Sequence, residues 1–356
     1  MIARPRLPVS AAPRRQRGAA LLTAMLIVTL VSTLAAAMVW QQWRAIQVEA
    51  AERARNQAQW VLVGALDWAR LILREDARNN QRDGEVDSLD EPWATPLQET
   101  RLSSFLAADR DNAAAEDGPE AFLSGAIVDA QSRYNLRNLF DGARVLPEEL
   151  QTLRRLCASA GLPEDTATRL ATALSQALAA RPDARGAPGA GTGSTSTGAG
   201  TGAAAVTEDP RGAPLLPPST PFLGWWDLDA ATVRRLREVV TLLPEPTPVN
   251  LNTAPREVIA AVLDGVDLAS AERLVRARKD KALRSLGDAT ALLGAGVALP
   301  PRRVSVATSY FEITGRLRLD ARYVEERSLV QRRDREVLVV YRERLGGSAA
   351  EGAASP

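Results

Sequence analysis

The chain has 356 residues, 46% of them hydrophobic, with a formal net charge of +1, no histidine and one cysteine, Cys157. That is enough apolar material for two modest cores, which excludes a wholly disordered chain. The composition also excludes catalytic triads built on a histidine base, zinc sites of the His/Cys kind and any intrachain disulfide.

Arg4, Arg6, Arg14, Arg15 and Arg17 precede Gly18 with no acid among them, so the remainder of the chain is mildly acidic. Positive charge beside an apolar stretch orients a membrane segment, because such flanks stay on the cytoplasmic side. From Gly18 to Trp43 no residue is charged. Roughly 22 apolar residues at the helical rise span about 33 Å, the thickness of a bilayer core. Three readings fit: a secretory signal cut after Ala35, Ala36 and Ala37, an uncleaved signal anchor, and a prepilin-type signal cut after Gly18 that leaves Ala19 as the amino terminus.

The pattern downstream favours the third. Between Trp43 and Ile72 apolar residues recur every three or four positions, which is one stripe of a helix. A single helix is predicted from about Ala19 to Leu73, on the order of 80 Å long, ended by the polar stretch RNNQRDG. Half membrane-inserted and half packed on a head, it resembles the leading helix of type IV pilins and pseudopilins. In those families the fifth mature residue is usually Glu, which pairs with the amino terminus of a neighbouring subunit; here it is Thr23. A carboxylate in lipid is costly without a partner, so a subunit that joins first has no use for one.

The stretches VDSLDEPWATPL and FLSGAIVDAQSRYNLRNL follow, the second suited to a half-buried strand or hairpin. From Leu146 to Pro300 the periodicity is helical. Pro147 opens one helix, with Gly161 as its stop and Cys157 as a small buried hydrophobe near Leu153 and Leu156, and Pro163 opens the next. Asp227 or Asp229 caps ATVRRLREVVTLL. Residues from about 181 to 224 are rich in Gly, Ala, Pro, Ser and Thr, a flexible loop with too little apolar surface to offset its ordering. Its GAGTGSTSTG lacks the lysine, strand and helix of a phosphate loop.

Further on, Thr253 is expected to cap a helix with Pro255 in its first turn. Gly265 stops that helix, Asp267 caps the next, and Ser285 with Asp288 forms a capping box. The pair resembles a helix-hairpin-helix module, many of which bind DNA, so a membrane-anchored periplasmic DNA-binding or uptake protein is the rival function. Asp264 and Asp267 at the hairpin would repel a phosphate. Three strands close the chain, at about Val304–Leu319, Val324–Gln331 and Glu336–Arg342, with turns near 320–322 and 332–335. Their arginines interleave with acids on a wet sheet face, so no nucleic-acid partner is expected.

Taken in order, RQRGAALLTAMLIV, LDEPWATPL, VDAQSRYNLRNL, PVNLNTAPREVIAAVL and SYFEITGRLRL, then a basic hairpin ending in VVYRER, resemble the type II secretion protein K family over nearly the whole chain. The resemblance implies an α+β fold: a pilin-like long amino-terminal helix packed on an antiparallel sheet, with a large all-α, helix-hairpin-helix-like domain inserted. It divides the chain into a leader (1–18), a membrane half of the helix (19–43), the first part of the head (44–145), the insertion (146–300), closing strands (301–345) and a disordered tail (346–356).

It also implies a non-enzymatic filament-tip subunit of the bacterial inner membrane. The amino terminus would be cytoplasmic and the head periplasmic, with the minor pseudopilins I and J as partners. A prepilin peptidase would cut after Gly18 and Ala19 would be methylated. Some members bind calcium. Asp87, Asp90 and Glu91, or Asp227 and Asp229, offer oxygens, but none shows the ligand spacing of a calcium loop, so no ligand is assigned.

Overall fold

The computed structural model describes residues 19–102, 121–142, 144–180, 215–294, 296–319 and 322–348. The chain divides after Trp60 into two units. Helix α1 is continuous from Ala19 to Asp83, one turn or more beyond the expected end near Leu73, because Asn79, Asn80 and Gln81 do not break a helix until Gly84 (φ 101°) turns it. In the first unit every large apolar side chain from Leu21 to Val48 is more than half exposed. Such a belt is at home in hydrocarbon or against other apolar helices. The hydroxyls of Thr29 and Thr33 donate to the carbonyls of Leu26 and Leu30 at 2.9 and 2.8 Å, so neither meets lipid as an orphan. Trp40 and Trp43, 5.4 Å apart, close the uncharged run, where interfacial aromatics anchor membrane helices.

In the second unit the rest of α1 turns Leu62, Leu66, Ala69, Leu73 and Ala77 inward, all buried, at the three- and four-residue spacing of one face. A five-stranded antiparallel sheet has the order β1-β2-β9-β10-β11. Its strands are β1 (Leu97–Arg101), β2 (Ala121–Asp129), β9 (Tyr310–Leu319), β10 (Arg322–Arg333) and β11 (Glu336–Ser348). Leu66, Ala69 and Leu73 pack with Trp93, Ile127, Phe311, Ile313, Val330 and Val337. Gly125 and Gly315 face each other across β2 and β9; a Cβ on Gly315 would lie 3.3 Å from Leu62, and one on Gly125 2.9 Å from the Thr314 carbonyl. Glycine thus permits the close approach of helix and strands.

Helices α2 (Pro147–Ser159), α3 (Asp165–Ala179), α4 (Ala230–Val239), α5 (Arg256–Val262), α6 (Leu268–Asp280) and α7 (Leu286–Leu293) lie in sequence between β2 and β9. They share a separate core that includes Leu156, Leu170, Leu236, Ile259 and Leu274. Short parallel bridges join β3 (Tyr134–Asn135) to β6 (Val240–Thr241) and β7 (Val249–Asn250) to β8 (Val304–Ser305). Phe140–Asp141 and Arg144–Val145, β4 and β5, form a small antiparallel pair.

Several expectations need correction. Of the stretch read as flexible, 181–214 lies outside the described residues; the remainder is ordered, with a 3-10 turn at Thr220–Trp226 and Leu223 fully buried. Helix α4 ends at Val239 because Val240 and Thr241 pair with β3. The last turn is confined to Asp334 (φ 52°) and Arg335, so Arg332 belongs to β10. Pairing with β10 carries β11 through Ser348, three residues into the expected tail; 349–356 lie outside the described residues.

Candidate functional site

The caps at Asp229, Asp267 and Ser285 form as local sequence dictates. Asp229 accepts from the Ala231 and Thr232 amides at 2.9 Å, Asp267 from the Ser270 amide at 2.8 Å, and Ser285 with Asp288 makes a capping box. Thr253 does not cap α5, whose N-cap is Pro255. Its hydroxyl donates instead to Asp129 Oδ2 at 2.6 Å, because a buried carboxylate needs donors more than a helix end near solvent needs an acceptor.

That contact belongs to a buried polar joint in which four of the sequence motifs meet. Asp129, 1% exposed, also accepts from the Gln131 amide at 2.7 Å and from Asn250 Nδ2 at 2.9 Å. Burial nevertheless raises its pKa, outweighing hydrogen bonds from Thr253, Thr308 and Asn250. Asn250 donates a second bond to the Asp87 carbonyl at 3.0 Å and accepts from the Asn252 amide at 3.0 Å. Asn252 in turn exchanges bonds with the backbone of Leu283 at 2.9 Å. Gln131 spans the joint, donating to the Pro248 carbonyl at 2.9 Å and accepting from the Ser309 amide at 2.8 Å. The side chains of VDAQSRYN and PVNLNT are thus the seam between the sheet and the inserted helices, with Asp129, Gln131, Asn250 and Asn252 each bonded across it.

Beside the seam lies a cluster that sequence reasoning missed in part. Asp76 of α1 and Asp87 and Glu91 of the following turn bring carboxylate oxygens within 4.8 Å of one another. Arg332 reaches in from β10: Nη2 sits 2.6 and 2.7 Å from the two Asp87 oxygens and 2.9 Å from the Thr308 carbonyl, and Nη1 pairs with Asp76. The Thr308 amide donates to Asp87 Oδ2 at 2.7 Å and Asn80 to Oδ1 at 3.2 Å. Glu91 accepts from the Ser88 amide at 3.0 Å and from Trp93 Nε1 at 2.5 Å. Burial is the main cause that pushes Glu91 up to about 8 and raises Asp76 as well.

Of the expected oxygen donors, Asp87 and Glu91 come together and Asp90 stays exposed; Asp227 takes a left-handed turn (φ 61°) and Asp229 is spent on its cap. The cluster does not suit a resident calcium. That ion takes six to eight oxygens, whereas both Asp87 oxygens already accept from Arg332 and from another donor.

Among the site residues, Gly18 lies outside the described residues, and Ala19 begins α1. The Thr23 hydroxyl donates to the Ala20 carbonyl at 3.0 Å, inside its own helix. At the helical hairpin, Gly265 (φ 78°) makes the turn. Asp264 pairs with Arg155 and Arg303 at 2.9 and 3.3 Å, so the carboxylates at this tip serve protein partners.

Two family models described as type II secretion system protein K match residues 132–245 and 249–307. Type II secretion system protein K of Pseudomonas aeruginosa is 31% identical over 337 residues, covering 93% of each chain. The protein of that name from Pectobacterium carotovorum subsp. carotovorum is 26% identical over 343 residues, covering 92% of this chain and 96% of its own. The fold is similar to a chain in the crystal structure of the GspK–GspI–GspJ complex from the enterotoxigenic Escherichia coli type 2 secretion system. The TM-score is 0.53 at 19% identity, over 83% of this chain and 98% of that one.

Proposed function

The chain belongs to the type II secretion system protein K family, and from that premise we propose that it is the minor pseudopilin that initiates or caps the tip of a periplasmic pseudopilus. The observation that carries this reading is α1: one helix whose exposed apolar first part suits lipid and whose later turns are buried against a sheet. The prepilin peptidase cuts after Gly18, and Ala19, the new and methylated amino terminus, is the first helical residue. The arginines before Gly18 keep that end cytoplasmic and place the head in the periplasm.

Thr23 at the fifth mature position has its hydroxyl turned to its own helix, which suits a subunit that joins first and needs no carboxylate for a predecessor. Its partners are the counterparts of the I and J proteins in the homologous complex. It works by assembly, presenting a head whose inserted domain leaves no room for a further subunit above it, and no residue acts as a catalyst.

Co-expression with the prepilin peptidase tests the processing step: the chain is expected to shorten, and Gly18→Asp to abolish the change. Co-purification with pseudopilins I and J tests the placement; a chain recovered alone, or one that retards duplex DNA, overturns it.

A further inference from the structure

The cluster beneath α1 contains three carboxyl groups from two segments and one guanidinium from a third. Asp76 sits on α1, Asp87 and Glu91 on the turn after it, and Arg332 on β10. Joints of this kind, in which several carboxylates from separate segments converge, are commonly drawn together by a divalent cation. Here the cationic position is filled from within. The Arg332 side chain is 9% exposed and pairs with Asp87, which is fully buried, and with Asp76. Its planar group uses both terminal nitrogens on carboxylates and the Thr308 carbonyl, and its face lies 5.0 Å from the centre of the Phe311 ring. A forked, planar donor suits paired carboxylates better than an ammonium would.

We propose that Arg332 is the resident cation of the Asp76–Asp87–Glu91 cluster, so that this joint is closed by the chain itself and takes no divalent metal. The third carboxyl, Glu91, whose oxygen lies within 4.8 Å of those of Asp76 and Asp87, is held by the Ser88 amide and Trp93 Nε1. Because the Asp87 backbone is also held by Asn250 and Val306, the guanidinium fixes α1, the sheet and the inserted domain at Asn250 in one geometry whatever the calcium concentration.

The test uses the full chain in detergent. Thermal unfolding is compared with chelator and with calcium chloride, and tryptophan-sensitised terbium luminescence reports direct ion binding. Any calcium response is expected to be the same in the wild type and in Glu91→Gln, because the cluster contributes none of it. Arg332→Gln is expected to lower the melting temperature by several degrees in chelator. If calcium then restores part of the loss through Glu91, the ion has entered the place the arginine vacated; loss without rescue leaves the arginine as the sole cation, and both outcomes uphold the proposal. A calcium-dependent rise or terbium signal in the wild type that Glu91→Gln abolishes overturns it, as does an Arg332→Gln chain that melts unchanged in chelator. If Arg332→Gln does not fold, the comparison of wild type with Glu91→Gln still decides.

Discussion

Asn250→Ala is the sharpest probe of the seam between sheet and insertion. The side chain is fully buried and makes three bonds: to the Asp87 carbonyl, to Asp129 Oδ2 and from the Asn252 amide. Alanine leaves two acceptors and one donor short of a partner in a site closed to water. Each such group costs about 1–3 kcal/mol, and Asp129 keeps its bond from Thr253, so the expected loss is roughly 3–5 kcal/mol. A loss of that size is a large part of the stability of a typical domain. Urea unfolding of the full chain in detergent, followed by tryptophan fluorescence, measures it as a fall in midpoint at unchanged slope. Asn250→Asp, which sets a second carboxyl 2.9 Å from Asp129 Oδ2, is expected to be worse at neutral pH and less so in acid. Asp264→Ala serves as the control: its carboxylate is 72% exposed, and losing such a pair costs at most about 1 kcal/mol. If Asn250→Ala costs no more than this control, the seam does not hold the two parts together.

Glu91 is pushed from an ordinary 4.5 up to about 8 by burial, so folding takes up a proton between those values. The stability this contributes is complete below the lower value and lost as pH rises through the upper one. Glu91→Gln, a mimic of the protonated form, is expected to gain on the wild type in urea midpoint as pH rises across that window; a constant gap refutes the assignment. Cys157 is buried and free, and burial pushes its thiol up to about 11, so native protein is expected to resist thiol reagents that label it fully in urea. Stoichiometric labelling of the native chain would show the helix core around it to be open.

The elements most legible in the sequence were those decided by neighbours along the chain. The caps at Asp229, Asp267 and Ser285 bond to amides two or three residues away, and the glycine stops at Gly161 and Gly265 follow from positive φ. The hidden part of the site lay where the same side-chain chemistry found a distant partner. Thr253 carries a local capping signal but bonds Asp129 across 124 positions. Asp76 reads as an ordinary polar position on a helix, and Arg332 reads as a turn residue, until the sheet sets one against the other across 256 positions.

By itself the sequence determined the uncharged membrane-length helix, its continuation as an amphipathic stripe, the helical insertion between two strand-rich pieces and the order of motifs that marks the family. Each depends on rise per residue, periodicity or nearest-neighbour bonding, all readable in one dimension. Only the tertiary structure decided that four of those motifs converge on one buried seam, and that Arg332 pairs with the Asp76 and Asp87 carboxylates beside it. The physical reason is desolvation: a polar group removed from water must be satisfied by whatever folding brings beside it, and that neighbour exists only once the chain has closed.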